Sequence, residues 1–127
     1  MKSTIYKTIY RLMGAGFIAG GLATFVLMFG FFPEMAAAFY SDKIHILQEF
    51  GSAAIFIGMV ALWQSANLDK GKAIHLSFTI LFLLLALLHL IDFFKGNVPL
   101  ASPLINTIPV IVFAIMYWQY DFDSDRS

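Results

Sequence analysis

Long apolar segments, separated by short polar turns, constrain the fold of this chain more than any other feature of its sequence. Residues 13–32 carry no charged side chain, and residues 81–88 consist of Leu, Phe and Ala alone. An apolar helix of about 20 residues is long enough to cross the hydrocarbon core of a bilayer. The pattern therefore predicts an all-α fold, an antiparallel four-helix bundle that crosses the membrane four times.

The polar turns set the limits of the predicted spans. Ser41 or Asp42 is suited to cap the second helix, and Ser102 followed by Pro103 is typical of the start of a helix. Pro109 falls inside the fourth helix, where a membrane protein tolerates proline as a kink. A single domain over residues 1–127 is expected to contain all the spans, which lie at about 12–32, 43–65, 73–94 and 102–120.

Composition excludes several classes of function. The chain is 60% hydrophobic and only 13% charged, too little charge to cover a soluble domain of this size, so the apolar excess is expected to face lipid. Eight basic residues balance eight acidic ones, and no basic aromatic stripe is present, so no nucleic-acid partner is expected. The absence of cysteine excludes disulfides, thiolate metal sites and iron–sulfur clusters.

The distribution of basic residues predicts the orientation. Four spans place both termini on one side of the membrane, and Lys and Arg favour the cytoplasmic side. The side with the termini carries six basic residues, namely Lys2, Lys7, Arg11, Lys70, Lys72 and Arg126. The loops on the other side carry two, Lys43 and Lys95. We therefore predict a multi-pass protein of the cell inner membrane with both termini in the cytoplasm.

Two polar pairs interrupt the apolar spans on the predicted outer side. His45 and Glu49 are four residues apart, and His89 and Asp92 are three apart, so each pair lies on one face of its helix. Together with Asn106, near the start of the fourth helix, they could line one ligand-binding pocket. A carboxylate facing lipid costs on the order of several kcal/mol, so we expect Glu49 to face the interior, with His89 as its first partner.

These residues are compatible with four interpretations. In one, Glu49 and His89 form a buried polar tie that fixes the register of two helices. In another, Glu49 exchanges a proton as a small ligand binds. In a third, His45, Glu49, His89 and Asp92 hold a divalent metal such as zinc, iron or manganese. In the last, His45 and His89 ligate one haem. His75 lies at the other end of its helix, where we expect an interfacial residue.

The sequence does not indicate a reaction, since it contains no GxSxG elbow, phosphate-binding glycine loop or dinucleotide fingerprint. The leading hypothesis is a small membrane protein with a polar ligand-binding pocket, acting as an accessory or binding subunit. The alternatives are a membrane metalloenzyme or haem protein, and a small oligomeric proton-coupled transporter in which Glu49 titrates.

Glycines indicate where helices could approach closely. Gly16 and Gly20 form a GxxxG pair on the first helix, with Gly21 adjacent, and Gly51, Gly58 and the alanines thin one side of the second. The expected partners are the lipid bilayer, a small-molecule ligand, and a second copy of the chain or a larger membrane complex.

The layout resembles the small four-helix bacterial membrane proteins of the DoxX-like kind. The resemblance depends on the glycine-rich first span, on Glu49-Phe50-Gly51 in the second, and on a short fourth span that ends in Tyr117-Trp118. It implies the four-helix membrane architecture and adds no function.

Overall fold

The computed structural model describes residues 2–28, 41–120 and 122, with side chains for residues 3–24, 49–120 and 122. Every regular element among them is helical, which confirms the predicted all-α class. The four α-helices of this part of the chain are α1 (Lys2–Met28), α2 (Ser41–Ala66), α3 (Lys72–Phe94) and α4 (Ala101–Gln119), and a short 3₁₀ helix (Leu68–Lys70) precedes α3. The predicted caps Ser41 and Asp42 have side chains outside the described residues.

The helices group into two compact units, one over Ser3–Ala66 and the other over Asn67–Ser127. In the first unit, α1 and α2 run antiparallel with glycine facing glycine. Gly14 lies against the backbone oxygen of Gly58, and Gly21 lies against that of Gly51. The two glycines of each helix are seven residues apart, about two turns, so they lie on one face of that helix.

The α1–α2 contact leaves no room for a side chain at these positions. A Cβ atom at Gly21 would lie 2.5 Å from the Gly51 oxygen, and one at Gly58 would lie 2.7 Å from the Gly14 oxygen. Ile18 and Ile55 fill the spaces beside the glycines. Such backbone-to-backbone packing is typical of helices that associate within lipid.

Among the described residues, none packs against the GxxxG pair of Gly16 and Gly20, whereas the prediction for Gly51 and Gly58 is confirmed. A Cβ at Gly16 or Gly20 would meet no atom within 4 Å, whereas Gly51 and Gly58 lie in the contact with α1. Each helical residue turns by about 100°, so Gly16 lies about 200° around α1 from Gly14 and points away from α2.

In the second unit, α3 and α4 pack along an aromatic seam. Phe78 and Phe82 of α3 lie against Phe113 of α4, with ring centroids 6.2 and 5.0 Å away. Ala86, two turns along from Phe78, continues the buried face of α3, and Met116 is buried on α4. Pro109 lies inside α4, as predicted.

The start of α4 differs from the prediction. The helix begins at Ala101, its N-cap is Leu100, and no side chain forms a capping hydrogen bond. Pro103 is therefore the third residue of the helix, and it is tolerated because N–H groups of the first turn lack partners within a helix. Ser102 is not the cap, and its hydroxyl bonds to another helix.

α3 and α4 are long and apolar enough to cross a membrane, by length and composition. Their best 18-residue windows have mean hydropathies of 2.4 and 1.6, yet only 17% of each window is buried. The exposed side chains on α3 include Leu84 and Leu88, and those on α4 include Ile105 and Ile111. A core helix of a soluble protein would be mostly enclosed, and these two are not.

Candidate ligand-binding site

A histidine–serine pair joins the end of α3 to the beginning of α4. His89 Nδ1 and Ser102 Oγ share a hydrogen bond of 2.8 Å, and both residues are half-buried. His89 lies five residues before the end of α3, about 7–8 Å along the axis. Among apolar neighbours such a pair satisfies two groups that would otherwise be costly to bury.

Two further polar groups extend this site. The Asn106 side chain lies one turn along α4 and donates from Nδ2 to the Ser102 carbonyl at 2.8 Å. Asp92, one turn beyond His89 on α3, accepts a hydrogen bond from Asn97 Nδ2 at 3.3 Å, and its carbonyl accepts from the Asn97 backbone N–H at 2.9 Å. We call His89, Asp92, Ser102 and Asn106 the polar end of the second unit.

An apolar groove lies between α3 and α4 beside the polar end. Its volume is about 250 Å³, and it is open on one side. Thr107 is its one polar lining residue, and its hydroxyl already donates to the Pro103 carbonyl at 2.8 Å. The other lining residues are Leu83, Ala86, Leu87, Leu90, Leu100, Pro103, Leu104 and Val110.

The groove exists because small or rigid side chains leave space where longer ones would meet. Ala86 and Pro103 project little from their helices, while Leu87 and Leu104 form the walls on the exposed side. Leu90 and Pro103 directly follow His89 and Ser102 in sequence, so this end of the groove lies at the same level along the two helices as the polar end.

Three of the five predicted ligand-binding residues, His89, Asp92 and Asn106, belong to this polar end. Glu49 is exposed on α2. The expectation that its side chain faces the interior of the bundle stays a prediction. The His45 side chain lies outside the described residues. The pairing of Glu49 with His89 stays a prediction, and the bond that the structure gives to His89 is the one to Ser102.

The described residues contain no metal site of the expected kind. Among them, no three His, Asp or Glu side chains come together in a group that could hold an ion. The four predicted ligands include His45, so the metal and haem hypotheses depend on a side chain outside the described part of the chain.

A buried histidine at the other end of α3 was not predicted as such. His75 is fully buried among its neighbours, and its Nε2–H donates to the Phe113 carbonyl at 2.9 Å. Its place at the membrane interface stays a prediction. Its ring stacks with those of Phe113, Tyr117 and Phe122, at centroid distances of 5.2, 6.1 and 4.3 Å. A carbonyl can only accept, so this contact fixes the proton on Nε2.

The connection before α3 is tied to the end of α4 close to this histidine. The Tyr120 hydroxyl donates to the Asp69 carboxylate in the 3₁₀ helix. The Lys72 ammonium lies 5.8 Å from the centre of the Tyr117 ring, within the range of a cation–π contact. Phe122 is buried against His75. These contacts close the end of the second unit that contains His75. The other end, which contains His89, lies beside the open groove.

Comparison of the chain with protein-family models, with curated proteins and with solved structures finds no match. The resemblance to DoxX-like proteins therefore stays a prediction, and the case for a function depends on the geometry of the two units.

Proposed function

We propose that the chain is a four-span protein of the inner membrane that binds a small ligand at the polar end of α3 and α4, as an accessory or binding subunit. The observation that carries the binding role is the His89–Ser102 hydrogen bond beside an open groove. Polar side chains are costly to place in a membrane, and they commonly mark functional sites there. A ligand site typically combines an apolar wall with a few such polar groups.

Membrane insertion is supported by the exposure of the apolar helices. Burying apolar surface is worth roughly 25 cal/mol per Å². Side chains such as Leu84, Leu88 and Ile105 are more than half exposed, so water would be a poor solvent for this surface. Lipid or a second apolar protein surface has to cover it, and lipid suits helices of this length.

Ligand binding is supported over the other hypotheses by the character of the polar end. It offers hydrogen-bond donors and acceptors on two helices, with an apolar wall next to them. The metal hypothesis lacks a ligand group among the described residues. The transport hypothesis depends on an oligomer with Glu49 as the titrating group, and Glu49 belongs to the first unit, not to the polar end of the second.

Histidine NMR on the detergent-solubilised protein tests the binding role. The probes are an organic extract of the host membrane and, separately, an aqueous small-molecule extract of the same cells. We expect at least one probe to shift the ring signals of His89 but not those of the buried His75. The Ser102→Ala variant should weaken the response about threefold to tenfold, as expected for one hydrogen bond.

Ser77→Ala is the matched control, because Ser77 Oγ donates only to the Ala73 carbonyl of its own helix and is exposed. It should leave the titration unchanged. Absence of a His89 response to both extracts would contradict the binding role, as would an equal effect of the two serine variants.

A further inference from the structure

The groove and the polar end together have the form of a site for an amphiphile. The polar end lies close to the C-terminus of α3, and the groove extends from it toward the helix middle. Along α3 the groove lining runs from Leu90 back to Leu83, about 10 Å at 1.5 Å per residue. A bilayer lipid has the same arrangement, with its headgroup at the surface and its chain directed toward the midplane.

The size of the groove selects for one chain. Sites for drug-sized ligands have volumes of about 300–1,000 Å³, and this groove, at about 250 Å³, is smaller. Its lining is apolar except for Thr107, whose hydroxyl is already bonded to Pro103, so the groove offers no specific polar contact to a ring system. An apolar groove of this volume, open on one side, has room for part of a single hydrocarbon chain.

The charges of the polar end and of Lys95, which lies next to it, select the headgroup. Asp92 is negative, Lys95 just after the end of α3 is positive, and the two are three residues apart. The hydrogen-bonding groups between α3 and α4, His89 and Ser102, complete a surface without an excess of either charge. Such a surface complements a headgroup that carries both an ammonium and a phosphate, and it gives no advantage to a purely anionic one.

From these observations we propose that the α3–α4 groove holds one acyl chain of a zwitterionic phospholipid, whose ammonium meets Asp92 and whose phosphate meets Lys95 and the His89–Ser102 pair. The inference deepens the proposed ligand-binding function and rests on it. It names the ligand class as a lipid of the surrounding bilayer.

Native mass spectrometry of the purified full chain tests this assignment, with dioleoyl phosphatidylethanolamine and dioleoyl phosphatidylglycerol as probes. The wild type should retain one phosphatidylethanolamine, in at least fivefold preference over phosphatidylglycerol. Leu87→Trp, which fills the groove, should reduce retention at least tenfold. Leu88→Trp is the matched control, since Leu88 is a neighbouring exposed leucine that does not line the groove, and it should retain the lipid.

Equal retention in the wild type and both tryptophan variants would overturn the assignment, and so would a preference for phosphatidylglycerol. Circular dichroism shows whether the variants fold. If Leu87→Trp is not helical, Thr107→Phe, with Ile108→Phe as its exposed control, replaces the pair. A His89 response to the aqueous extract, without any loss of lipid in Leu87→Trp, would refute the lipid assignment while leaving the proposed binding function intact.

Discussion

His75 and His89 occupy equivalent positions on α3 but have different surroundings. They lie fourteen residues apart, about four turns, so both face the seam with α4. At His75 the partner is a backbone carbonyl enclosed by three aromatic rings. At His89 the partner is a hydroxyl beside an open groove. We therefore assign a structural role to His75, and His89 is the histidine that the proposed ligand binding involves.

This assignment predicts graded effects at His75. His75→Phe keeps a ring for stacking but loses the N–H donor to Phe113, so we expect a loss of about 1 kcal/mol in the free energy of unfolding. His75→Ala also removes the ring and leaves a cavity, and the expected loss is about 3–5 kcal/mol, as for other aromatic truncations. Unfolding of the detergent-solubilised protein by added SDS measures both values.

Leu76→Ala is the control for this series, because Leu76 is the next residue and is exposed at 38%. It should cost less than His75→Ala. An equal loss for His75→Phe and His75→Ala would show that the hydrogen bond, and not the aromatic stack, holds this end of the unit together.

Sequence spacing at the residue scale predicts faces better than partners. The three-residue spacing of His89 and Asp92 places them on one face of α3. Asn106 bonds to Ser102, the partner of His89, and its place in one pocket with His89 and Asp92 stays a prediction. The bond between His89 and Ser102 was missed because Ser102-Pro103 also fits a helix start. Whether Ser102 caps α4 or bonds to His89 of α3 depends on the residue at which α4 begins, and the packing of the two helices determines that residue. His75 gave no local signal, since its aromatic neighbours come from α4 and from Phe122.

At the scale of elements, glycine spacing decides how α1 meets α2. Gly14 and Gly21 are seven residues apart, as are Gly51 and Gly58, so the spacing of the contacting glycines is visible in the sequence. The shorter GxxxG pair is the more familiar pattern, but it lies on the other side of α1. The two patterns differ in direction around the helix, and only the position of α2 shows which one is used.

Alanine substitutions distinguish the two faces of α1. Gly21→Ala places a methyl group 2.5 Å from the Gly51 oxygen, a backbone atom that cannot move alone, so the helices must separate. We expect a loss of about 1–3 kcal/mol in the free energy of unfolding, as for other overpacked contacts. Gly14→Ala, with the Gly58 oxygen at 2.8 Å, should behave similarly. SDS-induced unfolding followed by circular dichroism measures the change.

Gly16→Ala and Gly20→Ala are the matched controls, since both are glycines of α1 with open space around them. Each should be neutral or stabilising by up to about 1 kcal/mol, because alanine favours a helix over glycine. A loss at Gly16 or Gly20 as large as that at Gly21 would contradict the α1–α2 contact and would indicate that a second helix covers the open face.

For the whole molecule, the helical class and the approximate positions of α2, α3 and α4 follow from hydropathy, whereas α1 begins at Lys2, well before the predicted first span at 12–32. The observed α2, α3 and α4 begin and end within two residues of the predicted spans. Hydropathy does not settle the number of crossings. Of the four described helices, α3 and α4 are long and apolar enough to cross a membrane, whereas four crossings were predicted. Four crossings and two crossings both place the termini on one side.

Reporter fusions after different residues separate four crossings from two. A fusion after Ser127 should be cytoplasmic, with fluorescent green fluorescent protein and inactive alkaline phosphatase, since six basic residues lie on that side. A fusion after Asn97 should give the opposite result.

The decisive fusion for the number of crossings follows Glu34, between α1 and α2. With four crossings its phosphatase is active, because that segment lies outside, whereas with α3 and α4 alone it is inactive. An active phosphatase after Ser127 would contradict the orientation, and an inactive one after Glu34 would contradict the spans assigned to α1 and α2.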